Sequence, residues 1–190
     1  MMAHTSLYTV DPLGQEDAAL LRGVADLLVI AFPTIYAGNV TQALADVVQF
    51  APEDRSLVAR DSEGAPIGWV RMEHFKKQSS AEIKLVAVHP TRRRQGVGRT
   101  LVMAAEERMR IIGCVTMLAT VGDTRGRTNL YGMDVTEDAP RLLANFACHA
   151  DHPAGFFLKI GYRLVGLLPD AYGPGKHDLT LARRITHNEG

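Results

Sequence analysis

A chain of 190 residues with 46% apolar content can bury one good core, and a single domain over 1–190 is expected. Its 21 basic and 21 acidic residues cancel, so total charge gives no reason to expect nucleic acid or an anionic membrane as partner. The first residues carry no basic region followed by an apolar core, and no run approaches the ~18 consecutive apolar residues of a membrane span, which predicts a soluble, cytoplasmic protein. Cys114 and Cys148 are too few for a disulfide framework, and neither they nor the seven histidines have metal-ligand spacing, so no metal site is expected.

Asp17 to Phe32 sets Ala18, Leu21, Ala25, Leu28 and Phe32 at helical spacing, and Pro33 marks the end of this first predicted helix. Phe32-Pro33-Thr34-Ile35-Tyr36 reads as an aromatic-bearing loop. A second helix follows over Val40 to Phe50, with Asn39 and Thr41 as candidate caps. Ser56 to Arg60 and Pro66 to Met72 are β-rich runs joined by the hairpin chemistry of Asp61-Ser62-Glu63-Gly64. Ile83 to Val88 is the next strand. Leu101, Val102, Ala105, Met109 and Ile112 then form the apolar face of a helix over Thr100 to Ile112, closed by Gly113. Val115 to Val121 is another strand, whereas Gly122 to Glu137 is polar and aperiodic, and irregular insertions of that length are often functional. Pro140 to Phe146 and Pro153 to Ile160 read as short helices. Arg163 to Leu168 and Leu179 to Ile185 read as strands, separated by a turn region at Pro169 to Gly175. This order predicts an α/β fold around a mixed sheet.

The densest chemistry lies in Arg92-Arg93-Arg94-Gln95-Gly96-Val97-Gly98-Arg99, between a strand and a helix. Gly96 and Gly98 leave no side chain between backbone and ligand, so the N–H groups opening the helix can converge on phosphate oxygens. The helix end contributes roughly 0.3–1 kcal/mol, and about 2 when partly buried; flanking arginines add charge-assisted bonds. The spacing matches neither a Walker loop nor a three-glycine dinucleotide fingerprint. The R-x-x-G-x-G of Arg93 to Gly98, directly after Val86-Ala87-Val88-His89-Pro90, resembles the acetyl-CoA pyrophosphate loop of the GNAT superfamily of N-acetyltransferases.

That resemblance implies the GNAT fold, a mixed, mostly antiparallel central sheet with helices on both faces, and acetyl-CoA as cosubstrate. It makes Arg93, Arg94, Gln95, Gly96, Val97, Gly98, Arg99 and Thr100 cofactor-binding residues. Val86, Ala87 and Val88 would offer main-chain groups to pantetheine where their strand splays from its neighbour, with an N–H near Val86 facing the thioester oxygen.

A narrower resemblance, to aminoglycoside 6′-N-acetyltransferases, rests on three stretches: Phe32-Pro33-x-x-Tyr36; Asp151-His152-Pro153 leading into Phe156-Phe157-Leu158-Lys159-Ile160-Gly161-Tyr162; and Val165-Gly166-Leu167-Leu168-Pro169-Asp170-Ala171. In place of the Asn-x-x-Ala that generic members carry before the last helix, this chain has Ala150 and Pro153. In that group a glutamate on the strand before the loop contacts the acceptor and is proposed to help take its proton, and the matching position is Glu82. An alkyl ammonium has a pKa near ~10.4, so a carboxylate or a water relay must deprotonate it before it attacks. A solvated edge residue is the alternative for Glu82.

Lys84, on the same strand face as Glu82, stands where a histidine is expected, and its ammonium is placed to pair with Glu82. Phe157 stands where many members have a tyrosine thought to protonate the CoA thiolate. Tyr36 is a candidate to stack on a sugar, with packing as its alternative. Asp123 and Asp134 are candidate carboxylates for a polycationic acceptor, against the alternative of a mixed-charge surface loop. The resemblance implies direct transfer to a small-molecule amine in a ternary complex, antibiotic resistance as the role, and a homodimer. Acetylation of another primary amine (a polyamine, an amino sugar or a protein amine) and non-catalytic binding of acyl-CoA or an aminoglycoside are the competing readings.

Overall fold

The computed structural model describes residues 8–49, 55–75 and 79–186. Helix α1, Ala18–Ala31, begins where the Asp17 carboxylate accepts the Leu20 N–H at 2.9 Å, and it buries Leu21, Val24, Ala25, Leu27 and Leu28. The expected loop after it is instead a helical turn, α2, Pro33–Tyr36. Proline at the first helical position has its φ already set and no N–H to satisfy, and Ala37 ends the turn in the left-handed region. Helix α3, Val40–Gln49, is capped by Asn39, whose side-chain oxygen accepts the Gln42 N–H at 3.0 Å. Phe50, expected in that helix, lies outside the described residues.

Among the described residues seven strands hydrogen-bond in the order β1-β2-β3-β4-β5-β7-β6. They are β1 (Tyr8–Pro12), β2 (Ser56–Asp61), β3 (Pro66–His74), β4 (Ser80–Val88), β5 (Thr116–Gly122), β6 (Arg163–Leu168) and β7 (Asp178–Arg184). This is the mixed, mostly antiparallel sheet of the GNAT fold. Sequence reasoning missed β1. It is five residues long, pairs among the described residues with β2 alone, and ends in a proline, which a strand tolerates only at an edge or an end.

The chain divides into two compact units, 1–74 with 83–112, and 75–82 with 113–190. In the first, α1 and α3 bury a core with Val58, Trp69 and Ala87. Helix α4, Val97–Ile111, covers β3 and β2. It starts three residues earlier than the apolar periodicity predicts, because Gly96 turns the chain at φ 86 straight into the first helical turn. A Cβ on Gly68 would stand 2.8 Å from Leu101 and 2.9 Å from Val97, so glycine there is what admits α4 to the sheet.

In the second unit β5 and β7 pair without a break from Thr116↔Arg184 to Gly122↔Asp178, and β6 pairs with β7. Helices α5, Ala139–Ala144, and α6, Pro153–Lys159, complete it. Phe157 of α6 is core, edge-on to Phe156 and Tyr162 at centroid distances of 5.1 and 5.2 Å. Among the described residues no helix is long and apolar enough to cross a membrane.

Gly175 has φ +68, and a Cβ on it would fall 2.5 Å from the Gly132 Cα, a backbone atom. Gly175→Ala is expected to lower stability by about 1–3 kcal/mol. Gly64→Ala, equally left-handed but with nothing within 4 Å, should cost about 1 kcal/mol. Thermal unfolding of the two variants checks this, and equal losses would overturn the contact between the two segments.

Candidate active site

In the first unit the chain leaves β4 through a 3-10 turn, Pro90–Arg92, before entering α4. His89 shapes that turn, its Nδ1 lying 2.8 Å from the Thr91 hydroxyl. Gln95 donates to the Thr91 carbonyl at 2.9 Å, and Arg93 reaches the Val88 carbonyl at 3.4 Å and the Ala31 carbonyl at 3.5 Å. Two side chains expected on phosphate thus commit donors to the loop's own surroundings and hold its shape.

Thr100 is the first residue of α4 whose N–H finds a helical acceptor, the Gly96 carbonyl at 3.0 Å. Helix geometry therefore leaves the N–H groups of Val97, Gly98 and Arg99 without partners inside the helix. Together with the positive helix end and the exposed Arg94 and Arg99, they suit a pyrophosphate. Val97 contributes only its N–H, because its side chain is buried against the sheet. The front of Gly96 is open: a Cβ would meet only the Tyr8 hydroxyl, at 3.9 Å. That hydroxyl is 2.9 Å from the Thr100 Oγ1, a contact invisible in the sequence because β1 itself was not legible.

Along β4, Ala87 is buried in the core while Val86 and Val88 are half-buried, so Ala87 has only main-chain groups to offer a ligand. Lys84 is exposed. Glu82 is not a solvated edge residue. It is only 6% exposed, and its Oε1 accepts the Thr120 hydroxyl at 2.7 Å. Thr120 was not anticipated; the apolar run Val115 to Val121 carries two hydroxyls, Thr116 and Thr120, and its spacing does not single out the second.

The second unit redistributes the expected acceptor residues. Asp123 is fully buried, accepting the Arg127 N–H at 3.0 Å and the Thr128 hydroxyl, while its own N–H donates to the His177 carbonyl at 2.9 Å. The expectation that it meets a cationic acceptor is therefore corrected: it organises the irregular segment from within. Asp134 is exposed and accepts the Thr136 N–H and hydroxyl at 2.9 and 2.6 Å, bonds that hold its carboxyl below the usual carboxylate range.

His177 accepts the Asp170 N–H on Nδ1 at 3.2 Å, which leaves its proton on Nε2, 3.1 Å from the Leu130 carbonyl. His152 caps α6 by accepting the Ala154 N–H. Burial pulls its pKa below the usual histidine value, opposed by the Asp123 carboxylate at 3.9 Å.

Tyr36 also needs correction. It is 5% exposed in the α1 and α3 core, so its ring has no free face for a sugar, and its hydroxyl donates to Asp46 at 3.0 Å. Burial and the Asp46 carboxylate push its pKa up to about 12. Burial likewise raises both cysteine thiols, which disfavours a thiolate nucleophile.

The model of the acetyltransferase (GNAT) family matches residues 23–135, and the chain belongs to that family. It is an N-acetyltransferase that uses acetyl-CoA, and the open N-terminus of α4 fits the phosphates of that cosubstrate. The structure is similar to that of an aminoglycoside 6′-N-acetyltransferase complexed with coenzyme A, and to that of the aminoglycoside 6′-N-acetyltransferase from Enterococcus faecium. Each has a TM-score of 0.84 at 24% identity, over 93% of this chain and 97% of the other. Aminoglycoside 6′-acetyltransferase type Ii is similar at a TM-score of 0.70 and 21% identity, with the same coverage. No curated protein matches the chain.

Gly98→Asp is expected to weaken acetyl-CoA binding at least about 10-fold by setting a carboxylate among the free N–H groups. Equilibrium titration checks this, and unchanged affinity would remove the phosphates from this loop. Tyr36→Phe should cost about 1 kcal/mol at neutral pH and leave the acceptor KM unchanged. A raised pKa means the folded state holds the phenolic proton more tightly than the unfolded chain does. The increment is therefore present below about pH 10 and lost as pH climbs through about 12, which thermal unfolding of both proteins against pH will follow.

Proposed function

We propose that this N-acetyltransferase is an aminoglycoside 6′-N-acetyltransferase, passing the acetyl group of acetyl-CoA directly to the antibiotic's 6′-amine and so conferring resistance. The observation that carries the reading is likeness to the 6′-enzymes over 93% of the chain, well beyond the 23–135 that the family model covers. It is supported by a carboxylate, Glu82, withdrawn from water and held by Thr120.

In this reading the α4 N-terminus binds the pyrophosphate, and Val86 to Val88 line the pantetheine with main-chain groups. Glu82 attracts the acceptor ammonium and takes its proton. The amine nitrogen then bonds to the thioester carbon, the oxyanion is met by the N–H near Val86, and the C–S bond breaks. Phe157 has no proton to give, so the departing thiolate takes one from water. Neither cysteine takes part. The exposed ammonium of Lys84 favours a second reading, an acceptor less cationic than an aminoglycoside.

Thiol release from acetyl-CoA against kanamycin, tobramycin and gentamicin components, with NMR location of the new amide, tests the proposal. A 6′-amide is expected. Acetylation of polyamines alone, or bound acetyl-CoA with all these antibiotics inert, would overturn it. Glu82→Gln should lower kcat about 100-fold or more with acetyl-CoA affinity kept, and Thr120→Val should lower it less, in the same direction.

A further inference from the structure

Along β5 side chains alternate: Met117 and Ala119 are buried on one face, and Leu118, Thr120 and Gly122 lie on the other. The register with β7 sets Thr180 opposite Thr120 and Asp178 opposite Gly122, and directly opposite residues share a face. The bond from Thr120 to Glu82 brings that carboxylate to the same face.

A tyrosine occupies the end of this face. Tyr172, from the turn between β6 and β7, lays its ring on Gly122: a Cβ there would stand 2.7 Å from Cε2 and 3.1 Å from Cζ. The missing side chain of Gly122 is the seat of the ring. The Tyr172 hydroxyl hydrogen-bonds Asp178, fixing the ring's far edge. The turn beneath is braced, with the Tyr172 N–H on the Lys176 carbonyl at 3.0 Å and the Gly175 N–H on the Asp170 Oδ1 at 2.7 Å. Backed on one side by Gly122, the residue is still 51% exposed.

We infer that Tyr172 is the aromatic platform on which a ring of the acceptor amino sugar lies, with its amine directed to Glu82. The strand sets the Gly122 seat roughly 7 Å from Thr120, enough for a sugar ring on the tyrosine to extend its amine toward the carboxylate. An amino sugar brings apolar C–H faces to the ring, and its further ammonium groups are attracted to the aromatic face. The inference rests on the proposed acceptor class and adds a residue that discriminates ring-bearing from linear amines.

The test uses the full chain, with folding of each variant followed by circular dichroism. Wild type, Tyr172→Ala, Tyr172→Leu and Tyr172→Phe are titrated with kanamycin in the presence of CoA, and assayed for acetylation of kanamycin and of a linear polyamine. Tyr172→Ala and Tyr172→Leu should each raise the Kd and KM for kanamycin about 10-fold, with the acetyl-CoA KM unchanged and no equal loss against the polyamine. Tyr172→Phe, which keeps the ring, should stay within about twofold. Equal kanamycin Kd in wild type and either folded ring-less variant overturns the platform even if a 6′-amide forms. Binding that weakens without the ring, while wild type acetylates no aminoglycoside, keeps the platform and overturns the proposed reaction. No kanamycin binding by wild type overturns both.

Discussion

The loop proposed to hold the cosubstrate depends on how closely α4 lies against β3. Val97 and Leu101 occupy the space that a side chain on Gly68 would need, and that contact holds the first turn of α4 against the sheet. Because Val97 is anchored inward, the N–H groups of residues 97 to 99 emerge together rather than fraying. Gly96, Arg93 and Gln95 then shape the approach to them. A larger residue at 68 would displace the helix and scatter these donors.

The second unit achieves rigidity differently, with buried polar groups instead of a glycine-enabled helix contact. Asp123 gathers the Arg127 N–H and the Thr128 hydroxyl, and His177 links Leu130 to Asp170. Buried polar groups are costly unless satisfied, so each of these bonds favours one arrangement of the segment over its alternatives. The long irregular stretch between β5 and α5 is thereby a shaped surface without being a helix or a strand. The same tie through His177 and Asp170 steadies the turn that carries Tyr172.

The proposed acceptor chemistry rests on the contrast between two carboxylates. Asp123 is closed off by its own loop and serves architecture, whereas Glu82 accepts a bond from the Thr120 hydroxyl on the neighbouring strand. A carboxylate withdrawn from bulk water attracts an ammonium more strongly than a solvated one, since the local dielectric is lower. In the proposed reaction, the exposed Lys84 two residues along β4 weighs against that attraction and favours a less cationic acceptor.

Helices α1, α3 and α4, the hairpin of β2 and β3, and the R-x-x-G-x-G loop were legible in the sequence because their causes are local: apolar spacing, Asp17 and Asn39 as caps, glycine where φ must be positive. Glu82 was legible only through resemblance, and its burial was not. Strand β1 and Thr120 escaped because a five-residue edge strand carries almost no periodic signal and nothing local distinguishes Thr120 from Thr116 in the same apolar run. Tyr36 and Asp123 were misjudged for a related reason. An aromatic or a carboxylate has the same local sequence whether it faces solvent or the core, and the choice was made by Asp46 in one case and by Thr128 with the backbone of Arg127 in the other. By itself the sequence determined the order of the elements other than β1 and α2, and the glycine turn between β4 and α4. Tertiary structure decided which polar residues reach an open face, because register between strands some forty to sixty residues apart depends on packing across the sheet and not on any short pattern.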